Sequence, residues 1–424
     1  MALLETVRTS LRLPGLRKRL IFTALMLAVL RIGANVPVPG ADPDVVARLL
    51  TQGGLLGLVD LFSGGAFARL ALFALNVTPY INSSIIVQLL TVVIPKWEEW
   101  RREGLEGRKK LQQYTRYGTV LLALVQAFGI GLYLKNNHAL LGDSWANFAV
   151  VLISLTAGSV LLMWIGEMIT EKGIGNGISL IIFAGIVSRI PKALGSMFDL
   201  LKTGDLSWFQ VALVAVIAVA LVALVVLVTE AVRKIPVEYT KRVVGRRIYG
   251  GQRTFLPIKI NQAGVIPVIF AQSLLYLPFT IATYFPHNAV ARFILTYLHS
   301  GTVWFWMLNF VFIIFFTFFY TAVTFNPDEV AENMKKNGGF IPGYRPGKPT
   351  AEFLARVSNR LTVVGSLFLA SLTVAPIVII NLTGVREAYL GGTALLIVVG
   401  VAIETANQLE AQLVIRHYQG FMRT

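Results

Sequence analysis

The chain has 424 residues, of which 55% are hydrophobic and only 14% are charged, and its net charge is +16. Soluble domains carry about a quarter charged residues, so this composition excludes a soluble globular protein and indicates a polytopic membrane protein. The absence of cysteine excludes disulfides, thiolate catalysis and cysteine-ligated metal sites, and we expect no metal or other small-molecule cofactor.

Ten apolar runs predict membrane-spanning helices. Each is close to the ~20 residues that a helix needs to cross the hydrocarbon core. The predicted spans lie near 20–37, 73–94, 117–134, 147–169, 178–198, 207–229, 262–284, 303–325, 361–381 and 393–412. The basic start of the chain leads into an apolar run without a small-residue cleavage site, so we expect no cleaved signal peptide.

The segment 53–94 contains a crossing that begins irregularly. Its first half carries Asp60, Arg69 and five glycines, and its second half starts at Pro79. Irregular backbone persists at membrane depth only where it is buried in protein or lines a water-filled cavity. We therefore predict that a half-helix at about 55–68 enters a cavity without crossing the membrane.

The distribution of basic residues predicts the orientation of the spans. Of the 38 Lys and Arg residues, all but nine fall in the amino-terminal segment, the carboxyl tail and the alternate loops on the same side. The exceptions are Arg31, Arg48, Arg69, Lys135, Arg189, Lys192, Lys202, Arg292 and Arg386. Cytoplasmic loops are enriched in Lys and Arg, so we expect both termini in the cytoplasm.

Two cytoplasmic loops are longer than a simple connection requires. The loop 230–260 contains VEYTKR followed by RRIYG, and this alternation predicts a β-hairpin. In the loop 326–360, NPDEVAENMKK predicts a capped helix, and GGFIPGYRPGKP predicts a rigid turn that presents Arg345. Long ordered loops indicate docking surfaces for a cytosolic partner. The alternative is that they are basic tethers for anionic membrane lipid.

The span count divides the chain into two halves of five spans, 1–203 and 204–424. Many transport proteins contain inverted repeats, and their pathway lies at the interface of the repeats. The sequence shows no convincing repeat at the level of residues, so this division rests on the span count alone.

The sequence contains no motif for chemistry inside the membrane. It lacks a GxSxG elbow, an HExxH helix, paired aspartates within spans and a Ser–Lys dyad, so we expect no enzymatic activity. Ionisable groups near the spans are few. Arg31 and Arg69 lie towards the outer side, and Glu167 and Glu404 lie towards cytoplasmic ends, where an interhelical partner is the simpler role. A small-solute secondary transporter remains the alternative function, and a mid-membrane carboxylate pair would favour it.

Bulky aliphatic residues recur near the break and at the start of three later spans. They are Val77, Ile81, Ile178, Ile182, Ile266 and Ile397. The first two are four residues apart, as are the next two, so each pair shares a helix face. Periodicity alone does not distinguish these residues from ordinary core or lipid-facing residues.

Several runs, in order along nearly the whole chain, closely resemble the bacterial SecY family. They are FSGGA (62–66), PYI with SSIIVQLL (79–90), EGRKKLQQYTRYGT (106–119), EKGIGNGIS (171–179), LPIKINQAGVIPVIFA (256–271), NGGFIPGYRPGKPT (337–350) and GGTALLIVVGVAIET (391–405). The resemblance implies an all-α integral membrane protein with ten transmembrane helices in two pseudo-symmetric inverted halves. It also implies a re-entrant plug half-helix.

The function that this resemblance implies is a channel in the bacterial plasma (inner) membrane. Such a channel passes unfolded secretory polypeptides outward and releases apolar segments into lipid through a lateral gate between spans two to three and spans seven to eight. The implied partners are SecE, SecG, the SecA motor and the ribosome. The positions that match the family's pore ring are Val77, Ile81, Ile178, Ile182, Ile266 and Ile397.

The resemblance also assigns a plug and a docking surface. The plug is implied to run from Leu55 to Ala68 and to include Phe62, Ser63, Gly64, Gly65 and Phe67. The residues that match the family's docking sites are Arg246, Arg247 and Arg345. One departure stands out, because the family commonly has Gly-Ile where this chain has Asn76-Val77. The smaller valine predicts a slightly wider pore at that point.

Overall fold

The computed structural model describes residues 13–42, 45–46, 65–67, 69–142, 144–239, 242–244, 247–249, 253–284, 288–298, 302–383 and 392–421. These residues group into two compact units. One contains 1–211, 272–305 and 397–424, and the other contains 212–271 and 306–396. The boundary that we place at 203 and 204 stays a prediction.

Helices dominate both units. They are α1 (Pro14–Gly33), α2 (Thr78–Val93), α3 (Pro95–Arg102), α4 (Leu105–Asn136), α5 (Trp145–Lys172), α6 (Gly177–Val187), α7 (Ile190–Thr203), α8 (Trp208–Glu230), α9 (Ile266–Tyr284), α10 (Ala289–Tyr297), α11 (Val303–Thr324), α12 (Pro327–Lys336), α13 (Lys348–Thr383) and α14 (Gly392–Phe421). The strands are β1 (Val232–Tyr239), β2 (Arg242–Val244), β3 (Arg247–Tyr249), β4 (Arg253–Lys259) and β5 (Gly339–Phe340).

The helices confirm the predicted spans. Each of the ten predicted spans falls on one helix or, for 178–198, on the consecutive helices α6 and α7. Among the described residues, seven spans are long and apolar enough to cross a membrane, and an eighth is added if α2 and α3, bent by 102°, count together. Helix α9 is apolar but shorter. Helix α1 carries Arg17, Lys18, Arg19 and Arg31, which lower its mean hydropathy.

In the first unit, α4 packs against both α2 and α5. Close approach depends on glycine, as is usual between membrane helices. A Cβ on Gly131 of α4 would lie only 2.8 Å from the ring of Phe148 on α5. Gly118 of α4 leaves similar room for the side chain of Ser83 on α2. The three helices therefore form a tightly joined group, and the start of α2 is positioned by its two neighbours.

The second unit carries the predicted hairpin, which is confirmed. Strands β1 and β4 pair antiparallel from Val232 opposite Lys259 to Glu238 opposite Arg253, and β2 pairs with β3 between them. Strand β5 extends the sheet on the other edge of β1, so the sheet order is β4-β1-β5. Alternate side chains of a strand share a face, and Ile235 and Val237 accordingly join one buried cluster.

The capped helix predicted in the loop 326–360 is α12, and it too is confirmed. The side chain of Asn326 accepts hydrogen bonds from the backbone N–H groups of Asp328 at 3.2 Å and Glu329 at 3.5 Å. The two acidic residues at its start and Lys335 and Lys336 at its end complement the helix dipole. Local sequence thus specifies where this helix begins and ends.

We predict that Asn326→Ala loosens α12 by about 1 kcal/mol, because the substitution removes the cap of two backbone donors. Hydrogen exchange of the α12 amides measures the effect, and an acceleration of roughly fivefold corresponds to that free energy. The control is Asn333→Ala, which removes the same amide from an exposed position within the helix. Equal exchange in the two variants would show that the cap contributes nothing.

Candidate functional site

The stretch between α1 and α2 is held by backbone hydrogen bonds although it is not helical. The N–H of Leu72 donates to the carbonyl of Val36 at 2.8 Å, and the N–H of Val38 donates to the carbonyl of Leu70 at 3.0 Å. These two bonds clamp the residues before α2 onto the residues after α1. The side chains of Arg69 and Asn35 add a hydrogen bond across the same pair of segments. The approach to α2 is therefore fixed in place.

The end of the predicted plug is part of this clamp. Phe67 is buried in an apolar cluster with Leu70, Leu75 and residues of α4 and α5. Gly65, two residues earlier, adopts φ +90° and has open space where a Cβ would lie. The predicted plug residues Leu55, Phe62, Ser63 and Gly64 lie outside the described residues. Within the described part, the end of the plug segment nearest α2 is packed into the first unit.

Asn76 marks the turn into α2. Its φ is +53°, in the left-handed region that asparagine tolerates better than most residues other than glycine. Its carbonyl accepts a hydrogen bond from the Ser159 hydroxyl of α5 at 3.1 Å. The SecY-like pattern commonly has glycine here, and both residue types suit a positive φ. The departure at Asn76 therefore conserves the backbone shape.

Two small residues of α5 make room for this turn. A Cβ on Gly158 would clash with the carbonyl oxygen of Leu72, so the segment passes directly against the helix backbone. Ser159, the next residue, supplies the hydrogen bond to Asn76. Sequence reasoning did not single out either residue, because a Gly-Ser pair inside a long apolar run has no distinctive local signal.

The first predicted pore-ring pair lies at the start of α2. Val77 is 1% exposed and Ile81 is 8% exposed. The N–H of Ile81 donates to the carbonyl of Val77 at 3.0 Å, which confirms that the two residues are one helical turn apart on one face. On another side of α2, the Ser83 hydroxyl donates to the carbonyl of Thr115 at 2.7 Å. This bond fixes α2 against α4.

The second predicted pair lies at the start of α6. The side chain of Asn176 caps the helix by accepting from the backbone N–H groups of Ile178 at 3.1 Å and Ser179 at 3.2 Å. Ile178 is half-buried, and its side chain packs where Gly166 of α5 has no Cβ. Ile182 is 2% exposed. The GIGNG run thus sets both the start of α6 and its close contact with α5.

The last two predicted ring residues lie at separate places in the chain. Ile266 is half-buried, begins α9 and belongs to the second unit. Ile397 is fully buried in α14 and belongs to the first unit, as do the two earlier pairs.

An ion pair joins α4 to α5 close to α2. Arg116 contacts Glu167 with both a terminal nitrogen, at 2.9 Å, and its Nε, at 3.0 Å. The amide of Gln112 donates to the same carboxylate at 3.0 Å. This geometry confirms the prediction that Glu167 is an interhelical partner. The Arg116 side chain is 45% exposed, and an exposed ion pair adds little to the free energy of unfolding. We therefore infer that the pair mainly orients α4 and α5 relative to each other.

The predicted turn around Arg345 is held by local contacts, and Arg345 is exposed. The hydroxyl of Thr350 donates to the Arg345 carbonyl at 2.8 Å, and the ring of Tyr344 stacks on Phe353 at 4.2 Å. The pairing of β5 with β1 attaches this loop to the hairpin. Of the other predicted docking residues, Arg247 is the first residue of β3, and Arg246 lies outside the described residues.

The described residues contain no group of three or more His, Asp or Glu side chains that could hold a metal ion. They offer instead buried and half-buried aliphatic residues near helix starts, a clamped non-helical segment and an exposed basic turn. These features suit passage or binding.

A family model described as SecY matches residues 71–406. The chain belongs to the SecY family. The curated relatives include "Protein translocase subunit SecY" of Streptomyces scabiei, which is 44% identical over 99% of this chain and 100% of the relative. The protein of the same name from Corynebacterium glutamicum is 47% identical over 96% of this chain and 97% of the relative. That from Thermus thermophilus is 43% identical over 99% and 98%.

Solved structures share the SecY fold at lower identity. One is described as "The structure of a protein conducting channel", with a TM-score of 0.68, 21% identity and coverage of 94% of this chain and 93% of that chain. Another is described as "Sec61 in the Canine ribosome-channel complex from the endoplasmic reticulum", with a TM-score of 0.63, 21% identity and coverage of 94% and 93%. At this identity, the likeness supports the fold.

We predict that Asn76→Gly preserves the thermal stability of the purified protein, whereas Asn76→Val lowers it. A β-branched residue at φ +53° costs about 1–2 kcal/mol, and glycine adopts this φ without strain. The two variants differ in backbone tolerance, and both remove the asparagine amide. If both destabilise the protein equally, the side-chain amide rather than the positive φ explains the residue.

Proposed function

We propose that this chain is the pore-forming subunit of a protein-conducting channel. The channel translocates unfolded secretory polypeptides across the bacterial plasma membrane and releases apolar segments laterally into lipid. The observation that carries this proposal is its full-length similarity to proteins named "Protein translocase subunit SecY", with 44% identity over 99% of the chain in one case. The channel performs no covalent chemistry, and its partners supply the energy.

The proposed pore ring consists of Val77, Ile81, Ile178, Ile182, Ile266 and Ile397. A pore for unfolded polypeptides must accept every sequence, so its lining offers no directional hydrogen bonds. Branched aliphatic side chains close around varied segments by contact alone. A hydrophobic constriction also resists the passage of ions. Water leaves a narrow apolar pore, and an ion would then have to lose its hydration shell to pass.

The proposed plug, about 55–68, provides a second seal. Its described end supports this assignment, because the clamp at Leu70 and Leu72 fixes the chain beside α2 directly after the proposed plug. Gly65 suits a hinge, since its φ is +90° and no atom lies near its missing Cβ. The segment would move on one side of this glycine while Phe67 stays packed on the other.

The proposed partners fall into two groups. SecE and SecG are membrane subunits, and the SecA motor and the translating ribosome dock on the cytoplasmic side. The relatives described as canine Sec61 in a ribosome-channel complex and yeast Ssh1 bound to the 80S ribosome support the ribosome as a partner. The exposed Arg345 on its turn, with Arg246 and Arg247 at the hairpin, is the proposed docking surface. Anionic lipid is a further proposed partner of these basic loops.

The proposed location is the bacterial plasma membrane, with many crossings and both termini in the cytoplasm. The excess of Lys and Arg on one side supports this orientation. In this proposed orientation, the hairpin and the turn of Arg345 face the cytosol, where a motor or a ribosome would reach them.

We predict that the double variant Ile81→Gly, Ile182→Gly raises the resting ion conductance of the reconstituted channel. The two substitutions remove buried aliphatic side chains. The constriction becomes wider and holds more water, so ions pass more readily. Planar-bilayer recording without substrate or motor measures the change.

The matched control is Ile86→Gly with Ile153→Gly. These isoleucines lie on α2 and α5 but are 47% and 66% exposed, so the control repeats the helix-weakening effect of glycine at exposed positions. An increase in both double variants would indicate general loosening rather than loss of a seal. No increase in either would remove Ile81 and Ile182 from the ring.

We predict that Arg345→Glu strongly lowers motor-driven translocation while the protein stays folded. The side chain is exposed, so charge reversal alters the docking surface rather than the core. The measurement is protease protection of a secretory substrate in vesicles that contain the channel, the SecA motor and ATP. The control is Lys335→Glu, an equal charge change at an exposed position of the same loop. Normal translocation by Arg345→Glu would contradict the assignment.

A further inference from the structure

A short amphipathic helix, α10, lies in the first unit, and along the chain it connects α9 to α11. The side chain of Asn288 caps its start and accepts a hydrogen bond from the N–H of Val290 at 3.1 Å. The helix has nine residues, AVARFILTY, with Arg292 as its charged residue. Nothing in the proposed channel mechanism accounts for it.

The side chains of α10 divide into three faces at about 100° per residue. One face packs inward through Ala291, which is 5% exposed. A second, polar face carries Arg292 and Thr296. The third face is an apolar stripe at helical spacing i, i+3, i+4 and i+7. This stripe consists of Val290, Phe293, Ile294 and Tyr297.

The apolar stripe points away from the rest of the first unit. Val290 is 66% exposed, Phe293 is 60% exposed and Tyr297 is 47% exposed. The rings of Phe293 and Tyr297 lie 4.8 Å apart, so they form one continuous apolar surface. Clustered exposed apolar side chains of this kind mark a surface that meets another apolar phase.

The stripe is held rigidly at the start of α11. The hydroxyl of Thr302 donates to the carbonyl of Tyr297 at 2.7 Å and accepts from the N–H of Phe305 at 3.4 Å. One threonine therefore closes α10 and caps α11. The ring of Phe305 packs near the ring of Tyr276 of α9, with 5.9 Å between the ring centroids. Helix α10 is thus joined to both neighbouring helices.

This attachment sets the depth of α10 relative to the membrane. Helices α9 and α11 are apolar up to Tyr284 and from Val303, so both reach the membrane surface at these ends. The link from Tyr284 to Ala289 spans at most roughly 17 Å. Trp304, 61% exposed in the first turn of α11, is the residue type that sits at the headgroup level. These limits place α10 beside the headgroup layer.

We propose that α10 lies in the membrane interface, with its apolar stripe among the acyl chains of the outer leaflet and Arg292 facing water. The amphipathic helix then anchors the connection between α9 and α11 to phospholipid. This inference rests on the proposed function in that α9 and α11 cross the membrane, and on the proposed orientation, which puts their connection on the outer side.

The test uses single nitroxide labels on the full chain in phospholipid nanodiscs. The chain has no cysteine, so each substitution introduces its sole thiol. The stripe variants are Val290→Cys, Phe293→Cys and Tyr297→Cys. The matched controls on the polar face are Arg292→Cys and Thr296→Cys. Val311→Cys reports on an exposed position near the middle of α11. Collision rates with oxygen, which dissolves in lipid, and with a water-soluble nickel chelate measure the surroundings of each label.

We expect the ratio of oxygen to nickel collisions to be several-fold higher at the stripe sites than at the two polar sites. Equal, nickel-rich collisions at all five sites would place the stripe in water and overturn the inference. Stripe sites shielded from both reagents would mean that protein covers them, which also overturns it. If Val311→Cys is oxygen-rich in either case, only this inference fails. If Val311→Cys is nickel-rich, the membrane crossing and the proposed function fail with it.

Discussion

The structure depends on one constraint, which is that backbone polar groups inside a bilayer must be bonded by the protein itself because hydrocarbon offers no partner. Helices satisfy this rule internally. The stretch before α2 satisfies it by pairing Leu72 with Val36 and Leu70 with Val38, and by the bond from Ser159 to Asn76. A non-helical segment is possible here only because Gly158 lets it lie against α5.

The same constraint separates the polar and apolar sides of α2. At about 100° per residue, Ser83 lies on a different side of α2 from Val77 and Ile81. Its hydroxyl bonds to α4, so the polar chemistry that secures α2 is used within the first unit. Val77 and Ile81 are then free of any polar task. A helix built this way holds a fixed position, and its aliphatic face offers no directional hydrogen bonds.

Sequence predicted the elements whose signals are local. Asn326 before PDE specifies the cap of α12, and alternation in VEYTKR specifies the hairpin. The ten apolar runs predict where the long helices lie, because length and hydropathy are properties of each run alone. The pore-ring positions were different, since periodicity left them indistinguishable from core residues and only the resemblance to a family assigned them.

What sequence missed depends on contacts between distant residues. Ser159 and Asn76 are 83 positions apart, and Arg116 and Glu167 are 51 apart, so no short window contains either pair. Sequence predicts that Glu167, a charged residue near the end of a span, has an interhelical partner. It does not identify Arg116 as that partner, because the pairing follows from the packing of α4 on α5. Sequence marks Asn76 only as a departure from the family pattern. Its positive φ explains why asparagine is accepted there.

The position of Asn76 also shows which constraints the turn into α2 places on the sequence. The turn into α2 requires a residue that accepts φ +53°, and both glycine and asparagine do so. The close passage at Leu72 is more demanding, because any side chain on Gly158 meets backbone. A positive φ therefore allows a choice of residues, whereas a backbone-to-backbone contact allows only glycine, and the two constraints act four residues apart, at Asn76 and Leu72, just before α2.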